Sequence, residues 1–218
     1  MRHIKTLGVA MIAVFALVAF AGASTASADV LCNVNTNPCP TGNIVASGTT
    51  ISARLRTGSS AVLQTSGGFI NPTLSCAASS VTLRTTSAGG TGRPVTGNLT
   101  GLTFSSCTST NPSGCSASAT VTGLPTSGSL TWTSGGNGTL SVTAPTVTFT
   151  CPNPLGGTIT CSYGTGTVSG SFTGNTPATV SFNGVPIRSL SGGLCPPTTR
   201  WTATYQVDSP ASLYLFGP

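Results

Sequence analysis

After residue 28, apolar side chains recur at every second position along most of the chain. Trp201, Ala203, Tyr205 and Val207 alternate with Arg200, Thr202, Thr204, Gln206 and Asp208, as in a strand with one face in a core and the other in water. Leu140, Val142 and Ala144 keep one parity, Val147, Phe149 and Cys151 keep the other, and the switch falls at Pro145. Proline has no amide hydrogen for a ladder, so this predicts a bulge or a corner between sheets. Alternation or β-branched content marks further strands over 50–56, 61–65, 80–86, 99–106, 118–123, 129–133, 158–163, 167–172, 178–182 and 212–216. Between them stand turn-forming runs: Ser66-Gly67-Gly68, Ala88-Gly89-Gly90, Gly135-Gly136-Asn137-Gly138 and Asn183-Gly184.

No stretch after residue 28 combines helical periodicity with caps, and the abundant Thr and Val lose rotamer freedom in a helix but suit a pleated surface. With 28 Gly and 15 Pro in 218 residues, the chain reads as many short strands joined by turns. The expectation is a single all-β domain over 42–218, an antiparallel β-sandwich of immunoglobulin-like or Greek-key type stapled by disulfides, with a β-barrel as the alternative. No repeat of fixed period is present, which argues against a propeller or solenoid. An apolar content of 38% with only 5% charged residues separates the chain from disordered sequences.

The N-terminus adds a compartment. Arg2 and Lys5 precede an apolar run from Leu7 to Ala21, and Ala26-Ser27-Ala28 offers small residues to a peptidase. This predicts a signal peptide over 1–28, cleaved after Ala28, and a protein secreted or held in the cell envelope. The run is shorter than the about 20 residues of a membrane span, so no membrane attachment is expected after cleavage. Leu31 stands where a lipoprotein would need a small residue before Cys32. Residues 29–41 read as an irregular, disulfide-pinned arm whose first residue, Asp29, is expected to be mobile.

All eight Cys follow the cleavage site, and in an exported chain an even number implies cystines. Eight Cys allow about 105 complete pairings. Local spacing favours Cys32 with Cys39, Cys107 with Cys115 and Cys151 with Cys161, leaving Cys76 with Cys195. The chain has no Cys-x-x-Cys and no His after residue 28, so cystines outweigh a metal site.

Cleavage would also remove His3 and Lys5, leaving six Arg against Asp29 and Asp208. Arg54, Arg56, Arg84, Arg93, Arg188 and Arg200 are scattered and form no basic stripe, so no nucleic-acid partner is expected. A Ser or Cys nucleophile has no His or Lys to take its proton, and no Gly-x-Ser-x-Gly elbow occurs. Carboxylate chemistry would need Asp29 and Asp208 together, and two acids are few for a cation site. No catalytic residue, cofactor or metal is predicted, and the chain reads as a non-enzyme.

Shorter motifs carry less. Leu124-Pro125-Thr126-Ser127-Gly128 has Ser where a wall-sorting signal has Thr, and its mid-chain place suits a turn. Asn98-Leu99-Thr100 and Asn137-Gly138-Thr139 fit the N-glycosylation pattern. Thr146, Thr148 and Thr150 read as a solvated strand face. The segment 151–161, with Pro152, Pro154 and Gly156-Gly157, reads as a stapled hairpin or as a braced recognition loop.

Gly193-Leu194-Cys195-Pro196, Trp201-Thr202-Ala203-Thr204-Tyr205 and Leu213-Tyr214, with Cys161-Ser162-Tyr163-Gly164 and Gly123-Leu124-Pro125, resemble a group of functionally uncharacterised exported actinobacterial proteins. The resemblance implies export, cystines and an all-β fold, and nothing about activity. Three roles fit these readings. The first is a non-catalytic structural or binding protein whose partner is a cell-wall or other extracellular macromolecule. The second is a β-sandwich holding a small hydrophobic ligand, and the third is a protease inhibitor presenting a Cys-bounded loop.

Overall fold

The computed structural model describes residues 29–90, 93–191 and 193–217, with the Arg93 side chain outside that set. The predicted signal peptide lies outside the described residues. The strands are β1 (Val30–Cys32), β2 (Thr50–Leu55), β3 (Ala61–Ser66), β4 (Thr73–Gly90), β5 (Arg93–Thr110), β6 (Thr120–Thr122) and β7 (Thr126–Ser134). They continue with β8 (Asn137–Thr143), β9 (Thr146–Pro152), β10 (Thr158–Gly164), β11 (Thr167–Thr173), β12 (Thr179–Ser189), β13 (Thr198–Ser209) and β14 (Tyr214–Phe216). One 3-10 turn spans Thr41–Asn43.

The architecture corrects the expected sandwich. Strands β2, β4, β5, β7, β8, β11, β12 and β13 pair in that order, each antiparallel to the next, and β13 returns to β2. The result is a closed eight-stranded barrel, the alternative reading of the sequence. Alternation specifies one inward and one outward face in a sandwich and in a barrel alike. Closure depends on pairings such as Ala53 with Val81 and Val207 with Ala53, between residues far apart in the chain.

Beyond one end of the barrel, four of its strands continue into a second ring. Strands β4 and β5 are 18 residues each, long enough at about 3.3 Å per residue to run roughly 55 Å. Their far halves and those of β12 and β13 form this ring with four more strands: β3 pairs with both β4 and β13, β10 with β12, and β9 lies between β10 and β6. A bridge between Phe104 and Ala119 links β5 to β6 and completes the circuit. The parity switch at Pro145 is the crossing point predicted there: β8 belongs to the first ring and β9 to the second.

The other end of the barrel is covered by a two-stranded ribbon of β1 and β14. Bridges Gly136 to Leu215 and Asn175 to Leu213 tie it to the turns beneath. Residues 29–41 are thus not irregular throughout, since β1 is a ladder strand. Asp29 is buried rather than mobile, and its carboxylate accepts a hydrogen bond from the Trp132 amide at 3.0 Å. Asn183-Gly184 is likewise no terminal turn. The register of β12 on β13 shifts between Phe182 and Val185, and Gly184, at φ +60°, forms a bulge within a continuous strand.

All eight Cys are paired, and only Cys32–Cys39 follows the expected map. The other bonds are Cys76–Cys107, Cys115–Cys151 and Cys161–Cys195, in place of Cys107–Cys115, Cys151–Cys161 and Cys76–Cys195. Strand register explains each exchange. Cys76 and Cys107 are direct partners on β4 and β5. The Ser116 amide donates to the Thr150 carbonyl at 2.7 Å, setting Cys115 beside β9. The Leu190 amide donates to the Ser162 carbonyl at 2.8 Å and draws the β12–β13 loop against Cys161. These three bonds all lie in the second ring, and the segment 151–161 is an ordinary hairpin not closed by its own disulfide.

Candidate functional site

Inward positions of the closed barrel carry aliphatic and aromatic side chains. Ile51 and Ala53 come from β2, Leu83 from β4, Leu130 from β7, Val142 from β8 and Val168 from β11. They do not fill the interior. A cavity of about 90 Å³ remains, and its wall is apolar throughout, Trp201 and Tyr205 facing it with carbon surface only. Leu31 and Leu213, from the ends of the chain near the ribbon, close it from above.

An aromatic cluster on β5, β12 and β13 forms its floor, where the barrel meets the second ring. Phe182 stacks on Trp201 with ring centroids 4.2 Å apart and planes at 16°. Phe104 and Tyr205 meet Trp201 edge-on at 6.4 and 6.2 Å. The bulge at Gly184 adds one residue to β12, so that Phe182 faces Ala203 and Val185 faces Trp201. The Tyr205 hydroxyl shares a 2.8 Å hydrogen bond with the Ser79 hydroxyl. Burial pushes its phenol up to about 12, and the bond to Ser79 pulls partly the other way.

The Trp201 indole differs. The residue is 7% exposed, and its Nε1 is buried with no hydrogen-bond partner among the described residues. Trp201 lines both the main cavity and a smaller one of about 20 Å³ beside it, which it shares with Leu102, Pro145 and Val168. Alternation placed Trp201 inward, but no sequence signal announced an unpaired donor.

The outward face is of opposite character. Thr131, Thr139, Ser171, Ser181 and Thr204 sit side by side across five strands. Thr173, Thr179, Gln206, Arg54, Ser80 and Thr103 form a second such row. A lipid-facing barrel carries an apolar band at such positions; here they carry polar side chains, mostly hydroxyls. Among the described residues no helix is long and apolar enough to cross a membrane. Thr148 and Thr150 of β9 share hydrogen bonds with Ser162 and Thr160 across the ladder.

The two acids do not meet in a site. Asp208 pairs with Arg54 at 3.3 Å on the barrel's outside, and Asp29 lies under β1. Loops 67–72 and 190–197 adjoin, because Ser66 pairs with Thr198 and Gly68 lies against Pro196. They carry Phe69, Leu190 and Leu194, three of the five exposed large hydrophobics described, while Leu155 stands apart on the β9–β10 turn.

No protein-family model matches the chain, and neither the curated proteins nor the solved structures yield a match.

Proposed function

We propose that the protein is an extracellular, non-catalytic binding protein whose barrel interior takes up a small apolar molecule. The observation that carries this reading is the apolar cavity of about 90 Å³ at the centre of the closed barrel. An apolar void stays dry and accepts small hydrocarbons, as an engineered cavity of about 150 Å³ does for benzene. Four disulfides suit an oxidising compartment. The non-catalytic part rests on the residue set: from Asp29 onward there is no His, Lys or Glu, and the two Asp occupy unrelated places.

The test is methyl NMR of the folded protein titrated with cyclopentane. Binding will shift the methyl resonances of Leu83, Leu130, Val142 and Val168 saturably. Unchanged spectra at millimolar hydrocarbon would remove the reading.

A second reading concerns the outside. Phe69, Leu190 and Leu194, exposed on the adjoining loops 67–72 and 190–197, the latter held by Cys161–Cys195, support attachment to a cell-wall macromolecule. Retention on isolated cell-wall material should fall when Phe69, Leu190 and Leu194 are replaced together by Ser. Equal retention would exclude these loops as the contact.

A further inference from the structure

We infer that the barrel's ligand is an unbranched alkyl chain of about six carbons, lodged across two adjoining cavities rather than in the central one alone. This rests on the central cavity being a binding site and adds the chemical class and shape of its occupant.

Beside the central cavity of about 90 Å³ lies a second of about 60 Å³. Leu31, Ile51, Leu83, Leu130, Leu140 and Val142 line both, so the two are arms of one interior with these side chains at the corner. The second arm is bordered further by Val95, Gly97 and Gly128. Gly97 of β5 and Gly128 of β7 are direct partners, and Gly128 is in turn opposite the inward Val142, so two neighbouring inward positions carry no side chain. Glycine inside a strand often marks a place where a ligand or another backbone comes close. Native interiors leave few voids larger than a water molecule, because the lining of an empty one loses its contact partners. The wall of the central arm is apolar throughout, and that of the second almost wholly so, even where Arg84 and Ser129 border it. Neither arm offers a group to pair with a polar ligand atom, and burying such an atom unpaired would cost its hydration. Together the arms hold about 150 Å³, the size of an engineered apolar cavity that takes the six carbons of benzene. A rigid ring fills one arm, whereas a chain turns the corner by rotating about its single bonds and fills both.

The experiment compares n-pentane and n-hexane with cyclopentane and cyclohexane. Affinities are read from methyl shifts of the folded protein, with Val168 reporting the central arm and Val95 the second, since each lines only one of them. Saturating n-hexane should move the methyl resonances of both, and cyclopentane those of Val168 alone. At about 0.8 kcal/mol per buried methylene, n-hexane should bind about 4-fold tighter than n-pentane. Cyclohexane, with the same added carbon, should gain nothing over cyclopentane. In Val95→Phe, whose ring takes up the second arm, the gain from n-pentane to n-hexane should vanish. Should that variant fail to fold, the Val95 shift in the unaltered protein decides the matter alone. Binding of n-hexane that moves Val168 and leaves the Val95 methyls in place would overturn the inference and leave the cavity reading intact. Binding of none of the four hydrocarbons would overturn both.

Discussion

Ala53 offers the most direct measure of the space inside the barrel. It is buried on β2, points inward between Ile51 and Leu55, and lines the central cavity. Ala53→Leu adds three carbons, which at about 0.8 kcal/mol per buried methylene gives an upper gain of roughly 2.4 kcal/mol. An independent route reaches a similar figure: a void of about 90 Å³, at about 24 cal/mol per Å³, corresponds to roughly 2 kcal/mol. Some of this is lost to rotamer adjustment, so the expected stabilisation is about 1–2 kcal/mol. In a domain of this size that raises the melting temperature by about 2–8 °C. The assay pairs thermal and guanidinium unfolding with the cyclopentane titration, and the variant should be more stable and unable to bind. Overpacking a filled core typically costs about 1–3 kcal/mol, so a destabilised Ala53→Leu protein would refute the premise that usable space exists there.

Other expectations follow from single features. Nonreducing peptide mapping should recover the cross-links 76–107, 115–151 and 161–195, and the double substitution Cys161→Ser with Cys195→Ser should cost about 3–4 kcal/mol for a separation of 34 residues. Cyclopentane binding should survive that change, because the bond lies in the second ring. Gly89 has φ +86°, and a Cβ there would strike the Asp29 carbonyl oxygen. Gly89→Ala should therefore cost at least about 2 kcal/mol and speed exchange of the Trp132 amide that Asp29 holds. For Tyr205, raised from 10.0 to about 12 when folded, the proton is held more tightly in the native state. Its contribution is full below pH 10, and about 3 kcal/mol is lost as pH rises toward 12. Tyr163, also raised by burial, acts in the same direction. The guanidinium midpoint should hold steady from about pH 6 to 9 and fall above 10, and a fall centred near neutrality would contradict this assignment.

Local pattern determined the strands themselves. Every segment singled out by alternation or β-branched content falls wholly or partly within a strand, because period two is set by the pleat and needs no partner to be read. The crossing at Pro145 was legible for the same reason: a parity change shows in the order of residues alone. So was Cys32–Cys39, whose ends are 7 residues apart. Only the tertiary structure decided what those strands enclose. Closure into a barrel, the partners of six cysteines and the burial of Asp29 all depend on register between distant strands, and alternation is blind to which neighbour a strand chooses. The strand β1 escaped notice because its three residues, Val30–Cys32, are flanked by Asp29 and Asn33 with no alternation on either side, and its pairing with β14 joins the two ends of the chain. Asn183-Gly184 looked like a turn because its local chemistry is that of a turn, and the pairing with β13 made it a bulge instead. The cavity was furthest from reach. An inward Leu or Val reads the same whether it fills its space or leaves a gap, and a Trp reads the same whether or not its N–H finds a partner. Both outcomes are settled where eight strands converge, by the volume they leave between them.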